Sequence, residues 1–311
     1  MKILILGAAG FIGTNLALRL SSDTENELTL VDKNKDYFIL ELFQKSNVRI
    51  IVSVFDDTTD FDRLLQDQDI VYHLVSTTVP ATSNQHISQE LQANVVFSSN
   101  LFEACVHCGI KKVIFISSGG TVYGKEANCP LKEKMVTNPI SSYGIQKITI
   151  EKLLYLYNYM YGLDYRIIRL ANPYGSYQRP DGVLGAVTTF TYKALRHEKI
   201  TVYGDGSVIR DYIYIDDAIR AMMKIVNGEN KHHTFNIGCG KGISIRKVLE
   251  TIEDVLNVQL DIEYIEGRKV DVPENYLDIS RYENCYGALN PVSLADGIKK
   301  TAEFMKRNYD C

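Results

Sequence analysis

Lys2-Ile-Leu-Ile-Leu-Gly7-Ala-Ala-Gly10-Phe-Ile-Gly13 is the stretch that decides the fold. Its short apolar run predicts a buried strand, and the glycines that follow predict a sharp turn into a helix. Glycines at such a turn let backbone N–H groups at a helix N-terminus approach a pyrophosphate. The Gly-x-x-Gly-x-x-Gly spacing is one residue wider than the commonest dinucleotide fingerprint, so a simple turn is the alternative.

Asp32 supplies the context that the glycines need. It ends a second predicted strand about 20 residues further on, where a carboxylate accepts hydrogen bonds from both hydroxyls of an adenosine ribose. A carboxylate there also repels a 2′-phosphate, so Asp32 favours NAD over NADP, although Lys33 and Lys35 weaken that preference. The alternative is a turn residue at a strand end. Together the glycines and Asp32 predict NAD as the cofactor.

The first half of the chain alternates apolar runs with helical periodicity. Amphipathic stretches at Thr14–Leu20 and Glu90–Cys108 separate several of the runs. That order is typical of βαβ units, so the predicted fold class is α/β, a Rossmann-type doubly wound parallel sheet. The fully buried strands predicted in it are Lys2–Leu6, Leu28–Val31, Val48–Val52, Ile70–Val75, Lys112–Ser117 and Tyr165–Leu170.

After Ala171 the pattern changes to shorter elements separated by turn signals. We expect a smaller, interwoven C-terminal α/β lobe that binds substrate, over residues 171–311, and an NAD-binding domain over residues 1–170. Thr234–Ile237 is expected to return to the first domain as a buried strand. The other predicted elements are helices at Gly182–His197 and Asp216–Val226 and strands near Thr201 and at Tyr212–Ile215.

The composition is that of an ordinary globular protein, with 45% hydrophobic and 23% charged residues and a net charge of −4 in 311 residues. Unclustered basic residues predict no nucleic-acid partner and no membrane surface. No run approaches the length of a membrane span, and the first residues are interpreted as a strand rather than a secretory signal. Cys105 and Cys108 have C-x-x-C spacing within a helical pattern, so we expect no metal site and reduced cysteines in the cytoplasm.

Tyr143 and Lys147 are the first candidate catalytic pair. At i and i+4 they share one face of a predicted helix that runs to about Tyr161. A neighbouring ammonium favours the phenolate, which would make Tyr143 a usable general base. The alternative is coincidence, because a tyrosine and a lysine often share this spacing on a helix.

The chain resembles the extended short-chain dehydrogenase/reductases, the NAD-dependent epimerase/dehydratase family, and among them the UDP-hexose 4-epimerases. Each motif is modest, but their order and spacing together are specific. Beyond the Tyr143/Lys147 pair, the motifs are Gly7–Gly13, Val71-Tyr-His-Leu74, Asn94, Ser117-Ser-Gly-Gly-Thr-Val-Tyr-Gly124, Arg169-Leu-Ala-Asn-Pro-Tyr-Gly175, Gly204-Asp-Gly-Ser-Val-Ile-Arg-Asp-Tyr-Ile-Tyr-Ile-Asp-Asp217 and Asn236-Ile-Gly238.

This resemblance implies 4-epimerisation of a UDP-hexose with NAD retained throughout. Tyr143 would take the proton of the sugar 4-hydroxyl while hydride passes from C4 to NAD⁺. The 4-keto sugar would then turn over, and hydride would return to its other face. Lys147 would hold the nicotinamide ribose and keep Tyr143 ionised.

One motif departs from the family pattern. Four residues before Tyr123 such epimerases usually carry a serine or threonine, and here that residue is Gly119. Ser118 is the first candidate to replace that hydroxyl, because the two glycines would let the loop reposition it, and Thr121 is the second. Ser118 could alternatively only end the strand. Related dehydratases carry an Asp-Glu pair in this loop, and Gly119-Gly120 supplies no acid, so dehydration is disfavoured.

The resemblance also assigns the nucleotide-sugar end. Asn172 and the guanidinium groups of Arg210 and Arg268 would bind the diphosphate, and Asp271 would lie near the uridine ribose. A surface ion pair of Arg210 with Asp211 is the alternative for one arginine. Asn275 occupies the position where residue size decides whether a 2-acetamido group fits, unless it is only a loop residue. Since asparagine is intermediate in size, N-acetylhexosamines are candidate substrates.

Further cofactor contacts are implied at the ends of several strands. Ser53 stands where relatives usually carry an aspartate for the adenine amine, and we expect Ser53 and the Val54 backbone to take that role less strongly. The remaining cofactor-binding residues implied by the motifs are Phe11, Ile12, Leu74, Asn94, Ser117 and Pro173.

Leu153–Tyr161 is apolar nearly all round its predicted helix. A helix that packs one face on a sheet does not need this, so the outer face is expected to bind a second copy. The resemblance implies a homodimer through this helix and the Glu90–Cys108 helix. Other enzymes on the same scaffold, such as a nucleotide-sugar decarboxylase or 4-reductase, are the main alternatives, and a non-catalytic NAD sensor is a remote one.

Overall fold

A computed structural model describes residues 1–56, 59–78, 80, 83–125, 127–180, 185–267, 272–309 and 311. Its strands, in chain order, are β1 (Lys2–Leu6), β2 (Glu27–Asp32), β3 (Val48–Val52), β4 (Ile70–His73), β5 (Lys112–Ser118), β6 (Tyr165–Leu170), β7 (Asn172–Tyr174), β8 (Ile200–Tyr203), β9 (Ile209–Arg210), β10 (Tyr212–Tyr214), β11 (Thr234–Ile237), β12 (Ile243–Ser244), β13 (Ile262–Ile265) and β14 (Glu274–Asn275).

The helices alternate with these strands through the first half of the chain. They are α1 (Phe11–Ser21), α2 (Leu40–Phe43), α3 (Phe61–Leu65), α4 (Ile87–Leu91), α5 (Phe97–His107), α6 (Ser142–Tyr161), α7 (Ala186–Leu195), α8 (Ile215–Asn227), α9 (Ile245–Leu256), α10 (Ser280–Tyr286) and α11 (Leu294–Asn308). A 3₁₀ turn covers Lys35–Tyr37, and a π-helical segment, Gln92–Val96, joins α4 to α5.

A seven-stranded parallel sheet is the centre of the fold, in the order β11-β6-β5-β4-β1-β2-β3. Leu4 of β1 pairs with Thr29 on one side and Val71 on the other. The strand order reverses between β1 and β4, and such a switch point is where doubly wound sheets bind ligands, at the carboxyl ends of the strands. The predicted Rossmann-type fold class is therefore confirmed.

Two details of the predicted sheet are wrong. Val48–Val52 was expected to be fully buried, but in the described part of the chain β3 lies at the edge of the sheet beside β2, and its Val52 is 50% exposed. A strand with one neighbour cannot bury both faces as central strands do. The strand expected at Ile70–Val75 ends at His73, because Leu74 and Val75 leave the sheet to line a cleft.

The described chain divides into two compact units. The first comprises residues 1–117, 141–168 and 225–234, and the second comprises residues 118–140, 169–224 and 235–311. In the first, apolar residues of the sheet pack against α5 and α6, including Leu4, Val71, Phe102 and Leu154. The second contains three small sheets, ordered β10-β7, β12-β9-β14 and β13-β8. The functional division into an NAD-binding domain and a substrate lobe stays a prediction.

The later elements follow the predicted order with shifted ends. The strand near Thr201 is β8, and Thr234–Ile237 is β11 with the predicted bounds. The strand predicted at Tyr212–Ile215 ends one residue earlier, at Tyr214. The helix α8 therefore begins at Ile215, one residue before its predicted start. The helix expected at Gly182–His197 is described as α7, and residues 182–184 lie outside the described part. No helix among the described residues is long and apolar enough to span a membrane.

Candidate active site

The glycine turn after β1 fits the close approach of a dinucleotide. Gly7 has a φ of +83°, and a Cβ added there would lie 3.0 Å from the carbonyl carbon of Leu74. A Cβ at Gly13 would lie 2.3 Å from the carbonyl oxygen of Gly7, so only glycine lets α1 begin this close to β1. Gly10 is the N-cap of α1, and the first-turn amides of Phe11 and Ile12 follow it directly. The backbone therefore forms a cradle that side chains would fill.

The Asp32 carboxylate accepts hydrogen bonds from the backbone of this turn and can accept further ones from a ligand. Its Oδ2 accepts a hydrogen bond from Ala9 N at 3.0 Å, and its Oδ1 accepts one from Lys33 N at 2.7 Å. Each carboxylate oxygen can accept a second bond, so the ribose hydroxyls expected at Asp32 have acceptors available. The turn role considered as an alternative is thus also present, and it is compatible with the binding role.

A cleft of about 730 Å³ lies at the carboxyl ends of β1, β2 and β4 within the first unit. Its volume is in the range of cofactor sites. Five residues predicted to contact the cofactor line it, together with aromatic residues such as Phe61 and Phe97; the five are Gly7, Gly10, Asp32, Val54 and Leu74. Ser53 instead lines a neighbouring cavity beside β3, which Val54 also borders. The residues present therefore fit a bound dinucleotide.

Two other predicted cofactor contacts have their polar atoms engaged by the protein. Asn94, which lies in the π-helical segment, donates from Nδ2 to Thr77 Oγ1 at 2.8 Å and to the Glu90 carbonyl at 2.9 Å. Its Oδ1 accepts from Thr77 N at 2.9 Å, so Asn94 shapes the cleft through Thr77. Ser117 is buried and donates to Glu151 Oε1 at 2.5 Å.

Tyr143 and Lys147 lie in the first two turns of α6, whose N-cap is Ser141. The side chain of Lys147 is buried, and its Nζ donates to the Ile116 carbonyl of β5 at 2.8 Å. That Nζ lies 4.8 Å from the centre of the Phe115 ring and 5.4 Å from the centre of the Tyr143 ring. The structure thus brings the predicted pair together, with the lysine anchored on β5.

The pKa of the phenol differs from the sequence-based expectation. Burial raises the pKa of Tyr143 to about 12, although a neighbouring ammonium was expected to favour the phenolate. Burial also lowers the pKa of Lys147 to about 8, and the charge of Glu151 opposes that shift. Desolvation is the cause of this upward shift, and the Lys147 ammonium donates to the Ile116 carbonyl. In the protein alone, Tyr143 is therefore protonated at neutral pH.

Glu151 is a neighbour of the candidate pair that the sequence reasoning missed. It lies one turn beyond Lys147 on α6 and is only 5% exposed. Its negative charge stabilises the protonated lysine, and its Oε1 accepts the hydroxyl of Ser117. The sequence spacing could have identified Glu151. Tyr143, Lys147 and Glu151 follow one another at intervals of four residues and so share one face of the helix.

The loop after β5 belongs to the second unit from Ser118 onward. A Cβ at Gly119 would lie 2.6 Å from Cδ1 of Leu277 and 3.1 Å from the Leu170 carbonyl oxygen, so a serine or threonine there would require Leu277 to move. Ser118 Oγ accepts hydrogen bonds from the backbone N–H groups of Gly120 and Thr121, both at 3.2 Å. The glycine at 119 thus reflects the space that Leu277 fills.

The hydroxyl of Thr121 differs from that of Ser118 in its hydrogen bonding. Its Oγ1 is buried and has no hydrogen-bond partner among the described residues. Asn275 fixes the same loop, because it is 3% exposed and its Nδ2 donates to the Gly120 carbonyl at 3.0 Å. Asn275 is therefore more than a loop residue.

Two of the residues assigned to the diphosphate, Asn172 on β7 and Arg210 on β9, are described in the second unit. Asn172 donates from its backbone N and its Nδ2 to the Asp211 carbonyl, at 3.0 and 2.9 Å. Arg210 donates from Nη1 to the carbonyls of Ile209 and Val272, at 2.8 and 2.6 Å. Pro173 follows Asn172 in β7. Arg268 and Asp271 lie outside the described residues.

Asp211 is fully buried, so the surface Arg210–Asp211 pair considered above is wrong. Its carboxylate accepts the N–H groups of Cys239, Gly240 and Leu277, at 2.7, 3.1 and 3.2 Å. Burial raises its pKa to about 6, and these three hydrogen bonds act in the opposite direction. Asp211 thereby joins three segments of the second unit beside the predicted diphosphate residues.

Comparison with known proteins agrees with this fold. The model of the NAD dependent epimerase/dehydratase family matches residues 3–238. UDP-glucose 4-epimerase of Mycolicibacterium smegmatis is 33% identical over 98% of this chain and 99% of its own. The crystal structure of UDP-glucose 4-epimerase from Thermotoga maritima with UDP-glucose is 32% identical, with a TM-score of 0.91 over 99% of both chains. UDP-glucuronic acid 4-epimerase of Bacillus cereus, solved with UDP-glucuronic acid and NAD, is 28% identical over 99% of this chain and 100% of its own, with a TM-score of 0.90.

The fold and the site define a nucleotide-binding enzyme of the Rossmann class. The chain belongs to the NAD dependent epimerase/dehydratase family. The predicted family, the cofactor NAD and an isomerase similar to UDP-glucose 4-epimerase are thereby confirmed. Relatives also include a dTDP-4-dehydro-6-deoxyglucose reductase of Escherichia coli, 33% identical over 96% of this chain and 95% of its own, and UDP-glucuronic acid decarboxylase 3 of Arabidopsis thaliana, 28% identical over 96% and 87%.

Proposed function

We propose that this protein interconverts the 4-epimers of a UDP-hexose, UDP-glucose and UDP-galactose first, by transient oxidation to a 4-keto sugar. The observation that carries the proposal is the Tyr143/Lys147 pair in the same unit as the dinucleotide cleft, with Lys147 fixed on β5. The glycine loop supports it, because Gly119 and Gly120 offer no acid for the loss of a hydroxyl. Decarboxylase and reductase relatives make these reactions the second candidates.

Tyr143 is the proposed general base for the sugar 4-hydroxyl. A bound NAD⁺ would supply the acceptor for the C4 hydride, and the reduced cofactor would supply the hydride that returns to the opposite face. In the protein alone the Tyr143 pKa is about 12, so deprotonation needs a further positive charge near the phenol, as the cationic ring of the cofactor provides. Lys147, whose protonated form the charge of Glu151 favours, is proposed to bind the ribose of that cofactor.

The hydroxyl that replaces the usual serine is proposed to come from the loop 118–121. Ser118 was the first candidate from the sequence, but its oxygen already accepts two backbone bonds. Thr121 has the buried hydroxyl that lacks a partner, which favours it. Thr121→Val should lower kcat about 100-fold, in line with the loss of one transition-state hydrogen bond, and leave the loop folded. Ser118→Ala should instead lower stability with a smaller effect on kcat; a larger kcat loss in Ser118→Ala would reverse the assignment.

The nucleotide-sugar end is proposed to use Asn172, Arg210, Arg268 and Asp271 for the diphosphate and uridine. Asn275 is proposed to set the space for the sugar 2-substituent, through its own size and its bond to Gly120. N-acetylhexosamines are therefore candidate substrates beside the hexoses.

The exposed side chains and the cysteines support proposals for the oligomeric state and the cellular compartment of the enzyme. We propose a homodimer through α6, since five of its outward side chains are apolar or aromatic and exposed: Tyr155, Leu156, Tyr159, Met160 and Tyr161. We also propose the cytoplasm, because Cys105, Cys108, Cys129, Cys239 and Cys285 are free thiols. Residues 1–170 would bind NAD, and residues 171–311 the UDP-sugar.

The decisive experiment incubates the purified protein with UDP-glucose, UDP-galactose, their N-acetylated forms and UDP-glucuronic acid, without added coenzyme. We expect interconversion of a 4-epimer pair with no net change in NAD redox state. Tyr143→Phe should retain NAD and lose more than about 10²-fold in kcat, because only the proton acceptor is removed. Product formation that depends on added NAD(P)H would indicate a reductase, and CO₂ release would indicate a decarboxylase.

A further inference from the structure

A buried carboxylate that the sequence reasoning left without a role holds the start of α6. Glu90 lies on α4 and is 8% exposed. Its Oε2 accepts hydrogen bonds from Ser142 Oγ at 2.5 Å and from Gln146 Nε2 at 3.2 Å. Ser142 immediately precedes Tyr143, and Gln146 immediately precedes Lys147. Glu90 therefore binds the chain neighbours of both members of the candidate pair.

These bonds belong to a larger buried network within the first unit. Gln146 Nε2 also donates to Ser142 Oγ at 2.9 Å, and Gln146 Oε1 accepts from Thr78 Oγ1 at 3.2 Å. Asn84 Oδ1 accepts from Ser142 N at 2.7 Å. The network thus joins the first turn of α6 to α4 and to the segment that follows β4.

The carboxylate suits this place electrostatically. The Ser142 hydroxyl is the main reason that the pKa of Glu90 lies below its usual value, so Glu90 is charged at neutral pH. A negative charge beside the N-terminal turn of a helix is favourable, and hydrogen bonds to a charged acceptor are the stronger kind. Without Glu90, the polar groups of Ser142 and Gln146 would lose a buried acceptor.

We propose that Glu90 is a positioning residue for Tyr143, holding the first turn of α6 through Ser142 and Gln146. This inference rests on the proposed function, in which Tyr143 is the base. Lys147 has a separate anchor at the Ile116 carbonyl, so loss of Glu90 disturbs the phenol more than the ammonium. A displacement of about 1 Å at a reacting group lowers rates by as much as about 100-fold.

The test compares Glu90→Ala, Glu90→Gln, Ser142→Ala and the double variant Glu90→Ala/Ser142→Ala, each as the NAD-containing protein. Glu90→Ala should lower kcat about tenfold or more while KM for the UDP-sugar stays within about twofold. Glu90→Gln should recover part of kcat, because its amide oxygen still accepts the Ser142 hydroxyl. The double variant should be no slower than Glu90→Ala, since both changes break one contact.

Asp164→Asn is the matched control, at a residue just beyond the C-terminal end of α6. Asp164 pairs with Arg166 at 2.6 Å, so this variant loses a partly buried carboxylate contact away from Tyr143. It should lower the melting temperature and leave kcat unchanged. An equal kcat loss in Asp164→Asn, or none in Glu90→Ala, would overturn the inference.

Amide hydrogen exchange separates this inference from the proposed function. In Glu90→Ala, exchange should become faster at residues 142–147 and stay unchanged at residues 150–158. Unchanged exchange at 142–147 would overturn the positioning role whether or not the protein is an epimerase. Wild-type protein that converts no UDP-sugar would refute the proposed function alone.

Discussion

His73 shows how strongly a single residue beside the cleft depends on its surroundings. It is 2% exposed at the end of β4, and its Nε2 lies 2.7 Å from Ser98 Oγ. Because Ser98 donates its own proton to the Asn94 carbonyl at 2.6 Å, it accepts from Nε2–H. Burial, and then the charge of Lys147, lower the pKa of His73 to about 3. The buried imidazole is therefore neutral.

Because the pKa of His73 is lowered in the folded protein, we predict that the protein loses stability in mild acid. The unfolded chain binds a proton at His73 below the ordinary pKa of 6.5, whereas the folded protein does so only near 3. The stability present above pH 6.5 is thus lost progressively between pH 6.5 and pH 3, by about 2 kcal/mol on going from pH 8 to pH 5. Urea unfolding at both pH values should show this difference in the wild type and a smaller one in His73→Gln. An equal difference in both proteins would contradict it.

At the scale of elements, the loop after β5 is defined by two glycines with different surroundings. An added Cβ at Gly119 would lie 2.6 Å from Leu277, whereas one at Gly120 would lie 3.9 Å from Ser118 Oγ. We predict that Gly119→Ala lowers the free energy of unfolding by about 1–3 kcal/mol through overpacking. Chemical denaturation measures it.

Gly120→Ala is the control for this prediction. Its backbone needs no left-handed conformation, so alanine should change stability by less than about 1 kcal/mol, in the stabilising direction. Similar destabilisation by both substitutions would show that the loop requires glycine for flexibility and not for the space that Leu277 occupies.

At the scale of the whole molecule, the exposed apolar face of α6 indicates that the protein forms a dimer. Tyr159 is 77% exposed and Leu156 is 49% exposed, beside the buried Leu154 and Tyr157 on the opposite face. We expect a dimer mass by light scattering at micromolar concentration, and Tyr159→Glu should shift it toward the monomer by placing a charge in the apolar contact. Tyr264→Glu, at a tyrosine that is 50% exposed in the second unit, should leave the mass unchanged. A monomeric wild type would contradict the homodimer.

The amino-acid sequence by itself determined the order of the elements and the cofactor. The buried strand Lys2–Leu6 was predicted with its observed bounds, because central strands of a parallel sheet are near-continuous apolar runs. The Gly7 turn and Asp32 were equally visible, since close backbone approach demands glycine and a ribose demands an acceptor. These are local requirements, which appear as residue types at fixed spacing.

Only the tertiary structure decided what depends on neighbours distant in the chain. It placed β3 at the edge of the sheet, filled the space at Gly119 with Leu277, and raised the pKa of Tyr143 by burial. It also brought Glu90 to Ser142, 52 positions apart. None of these follows from spacing, because packing, desolvation and hydrogen bonding are set by which groups meet when the chain folds.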